Sequence, residues 1–406
     1  MSDIEHQPLH ELPRDLAGRV VLQIIPELNA GGAERTTIDV AAALAEAGAR
    51  PLVASVGGRL VSELQAKGGV WVPFPASSKN PVAMAWNVWR LARLIRDEGV
   101  DLVHARSRAP AWVALAATRY VKRPFVTTYH GIYNGNSSAK IFYNSVMARG
   151  DAVIANSEFT AERIATLHPM AHGRVRVIQR GTDLKVFAPE AVDSERVRAL
   201  RHAWGVETDQ RIVLLPGRLT GWKGQRVLVE AARLLKGKGL DDVRFLMVGD
   251  DQGRMGYVDD LKRRIADAGL NDIARIAPHC TDMPAAYLAA TIVTVPSTEP
   301  EAFGRVAVEA QAMGTPVVVS DLGAVPETVL APPRVDASQR TGWRVKADDP
   351  AALAAGVEQA LSLGASAREA LARRARAHVE AHFSLEKMTG DTLDVYAALL
   401  ERVAGT

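Results

Sequence analysis

The chain has 406 residues, 48% of them hydrophobic, with a formal net charge of +3, which suits an ordinary globular protein of two or three domains. Its single cysteine, Cys280, excludes an internal disulfide framework and a cysteine-rich metal cluster, and no stretch approaches the roughly 20 uninterrupted apolar residues of a bilayer-spanning helix. The charge is uneven: residues 1–190 hold 22 Lys and Arg against 17 Asp and Glu, and within residues 79–149 the ratio is 11 to 3, pointing to an anionic substrate or surface for the first half.

In chain order, MSDIEHQPLHELPRDLAGR is polar and acidic, without the basic and apolar regions of a secretory signal. Residues 1–18 therefore read as a loose arm and the chain as cytoplasmic. The runs VVLQII, PLVASV, DLVHAR, PFVTTYH and DAVIANS then alternate with the helical patterns TTIDVAAALAEAG, WNVWRLARLIRDEG and AWVALAATRYV. After residue 190 the rhythm restarts with RIVLLPGR, RFLMVGDD, ARIAPH, IVTVPS and PVVVSD, separated by VLVEAARLLKGKG, YVDDLKRRIADAG and MPAAYLAA. Such βαβ alternation predicts parallel sheets. The α/β reading is two doubly wound, Rossmann-like domains, 19–190 and 191–382, with a linker near 181–195. FSLEKMTGDTLDVYAALLERV predicts a last amphipathic helix within 383–406, anchored by Leu385, Met388, Leu393, Tyr396 and Leu399.

In open α/β sheets ligands collect beyond the carboxyl ends of the strands. Gly31-Gly32, just before the first helix, lets backbone approach an anion or simply starts that helix. His130 ends a predicted strand, at the lip of the expected cleft. Arg218 and Lys223, five residues apart in a glycine-spaced loop, suit a diphosphate, one by its fork and the other as a point charge. Gly249 and His279 close two further strands, where they would line a base or sugar pocket, and Gly249 is counted among the donor-binding residues. Asp250 and Asp251 are adjacent rather than D-x-D, so no metal site is read. In TEPEAFGRVAVEAQAM, Glu301 falls in a loop and the NH groups of Phe303, Gly304 and Arg305 form a helix start suited to phosphate. Glu309, inside that helix, suits the vicinal hydroxyls of a ribose.

These motifs, from GGAE through HG, NSEFTAERI, RGTDLKVF, GRLTGWKGQ and VGDD to PEAFGRVAVEAQAMGTPVVVSDLGAVPE, resemble the retaining GT-B glycosyltransferases marked by E-x7-E. The resemblance implies a deep cleft between two domains, with the final helix crossing back onto the first and the acceptor held by the first. It assigns Gly31 and Gly32 to the donor phosphate, His130 to the donor sugar near the reacting carbon, and Arg218 with Lys223 to the departing diphosphate. Glu301 would hold sugar hydroxyls and Glu309 the ribose. A nucleotide sugar, UDP-linked by preference over GDP-linked, is implied as co-substrate, with no metal and no other cofactor. One departure stands out: Arg180 occupies a position where the family commonly has Asn.

At about 100° per residue, the helix of NPVAMAWNVWRLARLIRDEG puts Met84, Val88, Leu91 and Ile95 on one stripe. Trp86, Trp89, Arg90, Arg93 and Arg96 fall opposite. Trp beside Arg on an outward face suits a lipid headgroup layer, and Arg106, Arg108, Lys122 and Arg123 add charge. The expectation is therefore a transferase at the inner face of the plasma membrane, glycosylating a lipid-linked acceptor of lipopolysaccharide, glycolipid or exopolysaccharide type. The alternatives are a soluble transferase making a small glycoside, a sugar-nucleotide epimerase, and a non-catalytic protein recruited to membranes. No nucleic-acid partner is expected.

Overall fold

The computed structural model describes residues 16–404 apart from Ala30, Asn134 and Asn136, so most of the anticipated arm, residues 1–15, lies outside the described residues. The chain divides into two compact units, Met1–Gly181 with Leu385–Thr406, and Thr182–Ser384.

The first unit contains strands β1 (Val20–Ile24), β2 (Arg50–Ser55), β3 (Val70–Pro73), β4 (Leu102–Ala105), β5 (Phe125–Tyr129), β6 (Ala152–Ala155) and β7 (Val175–Val177). They form one parallel sheet in the order β3-β2-β1-β4-β5-β6-β7. Alternate residues face opposite sides. Leu22, Ile24, Leu52, Val103 and Phe125 meet the helix Pro81–Asp97 through Leu91 and Ile95, whereas Val21, Leu102, Val126 and Ile154 pack with the helix Gly32–Glu46. The terminal helix Leu385–Ala404 belongs to this unit and buries Met388, Leu393, Tyr396 and Leu399 on the same side.

The second unit holds β8 (Arg211–Pro216), β9 (Val243–Val248), β10 (Ala274–Ala277), β11 (Ile292–Val295), β12 (Val317–Ser320) and β13 (Trp343–Val345), all parallel, in the order β10-β9-β8-β11-β12-β13. Val213, Leu215, Phe245 and Met247 pack under the helices Gln225–Lys236 and Pro350–Leu361. Leu214, Leu246, Val293 and Val319 pack under Met283–Ala289 and Arg305–Ala312. Near the two points where the chain passes between units, the amide of Thr182 donates to the carbonyl of Phe383 at 2.8 Å.

Each sheet reverses its strand order once, at β1/β4 and at β8/β11. The loops leaving those strands diverge there and leave room for a ligand.

A buried and a half-buried histidine make stability depend on acid. His104 is enclosed between Tyr396 Oη at 2.5 Å and Thr128 Oγ1 at 2.7 Å, and burial holds its pKa well below the usual value. Burial and the neighbouring His382 bring His378 down to about 4. In the unfolded chain both imidazoles bind a proton near pH 6.5, so the unfolded state carries more protons below that pH. The stability these neutral rings contribute is complete above pH 6.5 and declines as pH falls. Denaturant melts at pH 7, 6 and 5 should show falling midpoints, with a shallower decline in His378→Gln because one proton-binding difference has been removed.

Candidate active site

In the second unit, loops leaving β8, β9 and β11 are tied to one another. The amide of Gly217 donates to Val248 O at 2.8 Å, that of Leu219 to Asp250 O at 3.0 Å, and that of Thr298 to Trp222 O at 2.8 Å. Gln225, fully buried, donates to Arg218 O at 3.0 Å and accepts from Tyr257 Oη at 3.0 Å. Two glycines allow the close approach. A methyl at Gly249 would overlap the Gly217 carbonyl, and one at Gly224 (φ +77°) would overlap that of Pro296. Gly249 thus has a backbone-packing role beside these loops.

Lys223 and Glu301, from loops on either side of the β8/β11 switch point, meet here. Lys223 Nζ lies 2.7 Å from Glu301 Oε1, with side chains only 12% and 10% exposed. Ser297 Oγ donates to the same carboxylate oxygen at 2.6 Å. The ammonium also sits 4.4 Å from the centre of the Trp222 ring and Arg218 at 5.9 Å from it, an arrangement that favours cations over the indole face. Arg218 is itself exposed, as is His279. A buried cation beside a carboxylate can turn to a phosphate when one arrives, freeing the carboxylate to accept hydrogen bonds from hydroxyls.

The helix Arg305–Ala312 begins after Gly304 (φ +91°) with no side-chain cap, so its first NH groups and dipole face the end where an anion is favoured. The aromatic ring of Phe303 is not part of any ligand surface. It is buried with Val308, Val379 and Phe383, 5.7 Å from the latter's ring centre, and only its backbone could serve phosphate. Glu309 is 5% exposed and held at both oxygens, by Tyr287 Oη at 2.7 Å on Oε2 and by Arg305 Nε at 2.6 Å on Oε1. The carboxylate is thereby fixed in orientation, while each oxygen keeps capacity for a further donor. Burial and this carboxylate push the Tyr287 hydroxyl pKa well above 10, so the phenol stays a donor.

In the first unit, His130 follows β5. Arg180 Nη2 donates to the His130 carbonyl at 2.8 Å and lies 3.4 Å from Nδ1 of its ring. Burial, Arg180 and Arg106 together hold the imidazole pKa well below its ordinary value. Its Nε2 is buried and has no hydrogen-bond partner among the described residues. Gly31 (φ +146°) precedes the helix Gly32–Glu46, which no side chain caps. A methyl at Gly32 would overlap the Arg180 guanidinium, so Gly31-Gly32, Arg180 and His130 form one cluster. Arg106, expected to help dock a membrane, is instead 3% exposed and bonded to Gln23 Oε1. It cannot reach lipid. Arg108 is engaged as well, bonded to Asn144 Oδ1 at 2.8 Å and 4.6 Å from the Tyr133 ring centre.

Two family models divide the chain as the sheets do: Glycosyltransferase Family 4 matches residues 30–186 and Glycosyl transferases group 1 matches residues 197–378. A D-inositol 3-phosphate glycosyltransferase of Xylanimonas cellulosilytica is 32% identical over 354 residues, 81% of each chain. A glycosyltransferase structure from Rickettsia africae superposes with a TM-score of 0.86 at 35% identity, covering 94% of this chain and 99% of that one.

This chain belongs to the GT-B glycosyltransferases.

Other relatives fill in the picture. A D-inositol 3-phosphate glycosyltransferase of Mycolicibacterium smegmatis is 37% identical over 187 residues, 45% of this chain and 41% of that one. Anabaena HepE, solved in complex with UDP and glucose, shares the fold with a TM-score of 0.79 at 23% identity, covering 94% and 100% of the two chains. For this glycosyltransferase, sequence reasoning missed Tyr287 and Ser297, which position the two glutamates, and left Arg180 without a role. Tyr287 lies in the short pattern MPAAYLAA, where an aromatic signals only core. Nothing in the sequence pairs it with Glu309, 22 residues away.

Proposed function

We propose that this enzyme transfers a sugar, with retention of anomeric configuration, from a UDP-sugar to a hydroxyl of a small phosphorylated polyol. The supporting observation is the likeness to a D-inositol 3-phosphate glycosyltransferase along 81% of both chains, which favours the small-glycoside alternative over the lipid-linked acceptor.

In this reading Glu309, oriented by Tyr287 and Arg305, accepts from the ribose hydroxyls. The uncapped helix start and Arg218 take the diphosphate. Lys223 leaves Glu301 for the β-phosphate, where charge grows as the bond to the sugar breaks, and Glu301 accepts from sugar hydroxyls. The acceptor oxygen forms its bond to the anomeric carbon on the face that UDP leaves. The bond from that carbon to the phosphate oxygen breaks, and the acceptor proton passes to the departing phosphate. No residue here has to act as a nucleophile, and neither a metal nor another cofactor is required.

The test is a matrix of UDP-glucose, UDP-N-acetylglucosamine, GDP-mannose and ADP-glucose against inositol phosphate, free inositol and anionic lipid vesicles, followed by product mass. The reading expects a glycosylated inositol phosphate or similar phosphorylated polyol from a UDP-sugar. A product only on lipid, or only an epimerised nucleotide, would contradict it.

One observation favours membrane attachment as a second reading. Trp86 and Trp89 are 61% and 52% exposed with ring centres 5.2 Å apart, beside Arg90 and Arg93, while Leu91 and Ile95 of the same helix are in the core. No helix among the described residues is long and apolar enough to span a bilayer, so attachment would be peripheral, to a cytoplasmic anionic face. Flotation with anionic vesicles should then be lost in Trp86→Ala/Trp89→Ala; unchanged flotation would dismiss it.

A further inference from the structure

We infer that Arg180 is a positioning residue that fixes the tautomer of His130, so that the imidazole presents Nε2–H as a donor toward the transferred sugar. The role toward substrate rests on the transferase reading above; the tautomer does not.

A guanidinium stays protonated and can only donate. Nη2 of Arg180 carries two hydrogens, and among the described residues the His130 carbonyl at 2.8 Å and His130 Nδ1 at 3.4 Å lie within its reach. Nδ1 must therefore expose its lone pair to Arg180. In a neutral imidazole the proton is then on Nε2. That is the ring atom left buried and without a partner among the described residues, so the donor is aimed where the protein supplies no acceptor.

The charged and titratable groups around the ring agree. Arg180 and Arg106 both oppose protonation of His130, His104 is itself held neutral by burial, and Tyr133, whose phenol is kept protonated by burial, is in contact through the His130 backbone. Among the described residues, no carboxylate acts on the ring. A second imidazolium proton would face two cations. Gly32, lacking a side chain, leaves the room that the Arg180 guanidinium occupies. An Asn at residue 180 would bring an amide on a shorter side chain and no fixed charge.

The full-length protein labelled with ¹⁵N-histidine, observed by long-range ¹H–¹⁵N correlation, tests this. His130 is assigned by the signals lost in His130→Gln. The expected spectrum shows His130 with a bare Nδ1 and a protonated Nε2, and no titration through pH 6.5. In Arg180→Met the tautomers should mix and the ring's pKa should rise, while burial and Arg106 still hold it below the ordinary value. The kcat for UDP-glucose or UDP-N-acetylglucosamine turnover should fall about 10²-fold, the loss typical for one misplaced donor, with little change in donor KM. Arg180→Lys, which keeps a cationic donor, should restore the Nε2–H tautomer and part of kcat. An Nδ1–H tautomer in the unaltered protein, or His130 signals unmoved in a folded Arg180→Met, would overturn the assignment. A shifted tautomer with unchanged kcat would overturn the positioning role. Absence of any transferase activity would leave the wild-type spectrum as the readout, so failure of the functional reading is separable from failure of the tautomer.

Discussion

Glu309→Ala should weaken UDP binding by about 10²- to 10⁴-fold, because two hydrogen bonds to a charged acceptor are lost and each such bond contributes roughly 1.5–3 kcal/mol. The same substitution has a cost in the absence of nucleotide. Tyr287 is fully buried and its hydroxyl donates to Glu309; with no acceptor it is left unsatisfied, at about 1–3 kcal/mol. Glu309→Gln keeps an acceptor oxygen for one of the two partners, so it should recover much of the stability and less of the affinity. Calorimetric titration with UDP beside denaturant melts separates the two effects. A Glu309→Ala protein with full UDP affinity would remove the ribose assignment.

Lys223→Ala should lower kcat by about 10²- to 10³-fold, as expected when one preorganised charge opposite a leaving group is removed, while UDP-sugar KM changes less. The resting pair makes the prediction sharper. Lys223 and Glu301 are nearly buried against each other at 2.7 Å, so Glu301→Gln frees the ammonium and Lys223→Ala leaves the carboxylate with Ser297 alone. The two substitutions should therefore be strongly non-additive in a double-mutant cycle. Strict additivity in steady-state rates would mean that the pair does not act as a unit.

Much of the fold was readable because doubly wound domains repeat a simple pattern. The strands in the middle of the first sheet, β1, β4 and β5, are short runs buried on both faces, apolar apart from Gln23, His104, Thr127 and Thr128. The strands not foreseen, β3, β7 and β13, are all at sheet edges. Edge position leaves VWVP and VRV only partly buried, so their sequences mix exposed and buried residues and lose the signal. The helix holding Trp86 and Trp89 was legible in both faces, since its period alone separates Leu91 and Ile95 from the tryptophans.

The site was legible at the level of which loops carry it and illegible in its contacts. Loop position after a strand predicts that Lys223 and Glu301 share a ligand; it does not predict that they hold each other, because their separation is set by the adjacency of β8 and β11. Arg106 shows the opposite error. Its charge and place in a basic segment suggest a surface, yet it follows β4 at the centre of the sheet, where Gln23 of the neighbouring β1 receives it. Phe303 was assigned by the position of its amide, and its ring instead fills a hydrophobic cluster.

The most direct test of transfer with retention is to follow the anomeric protons by ¹H NMR while purified enzyme turns over a UDP-sugar with inositol phosphate. The account predicts that the α-anomeric signal of the donor decays as UDP and an α-anomeric signal of the product rise together. A β-configured product, or conversion of the donor into a different nucleotide sugar without transfer, would contradict it.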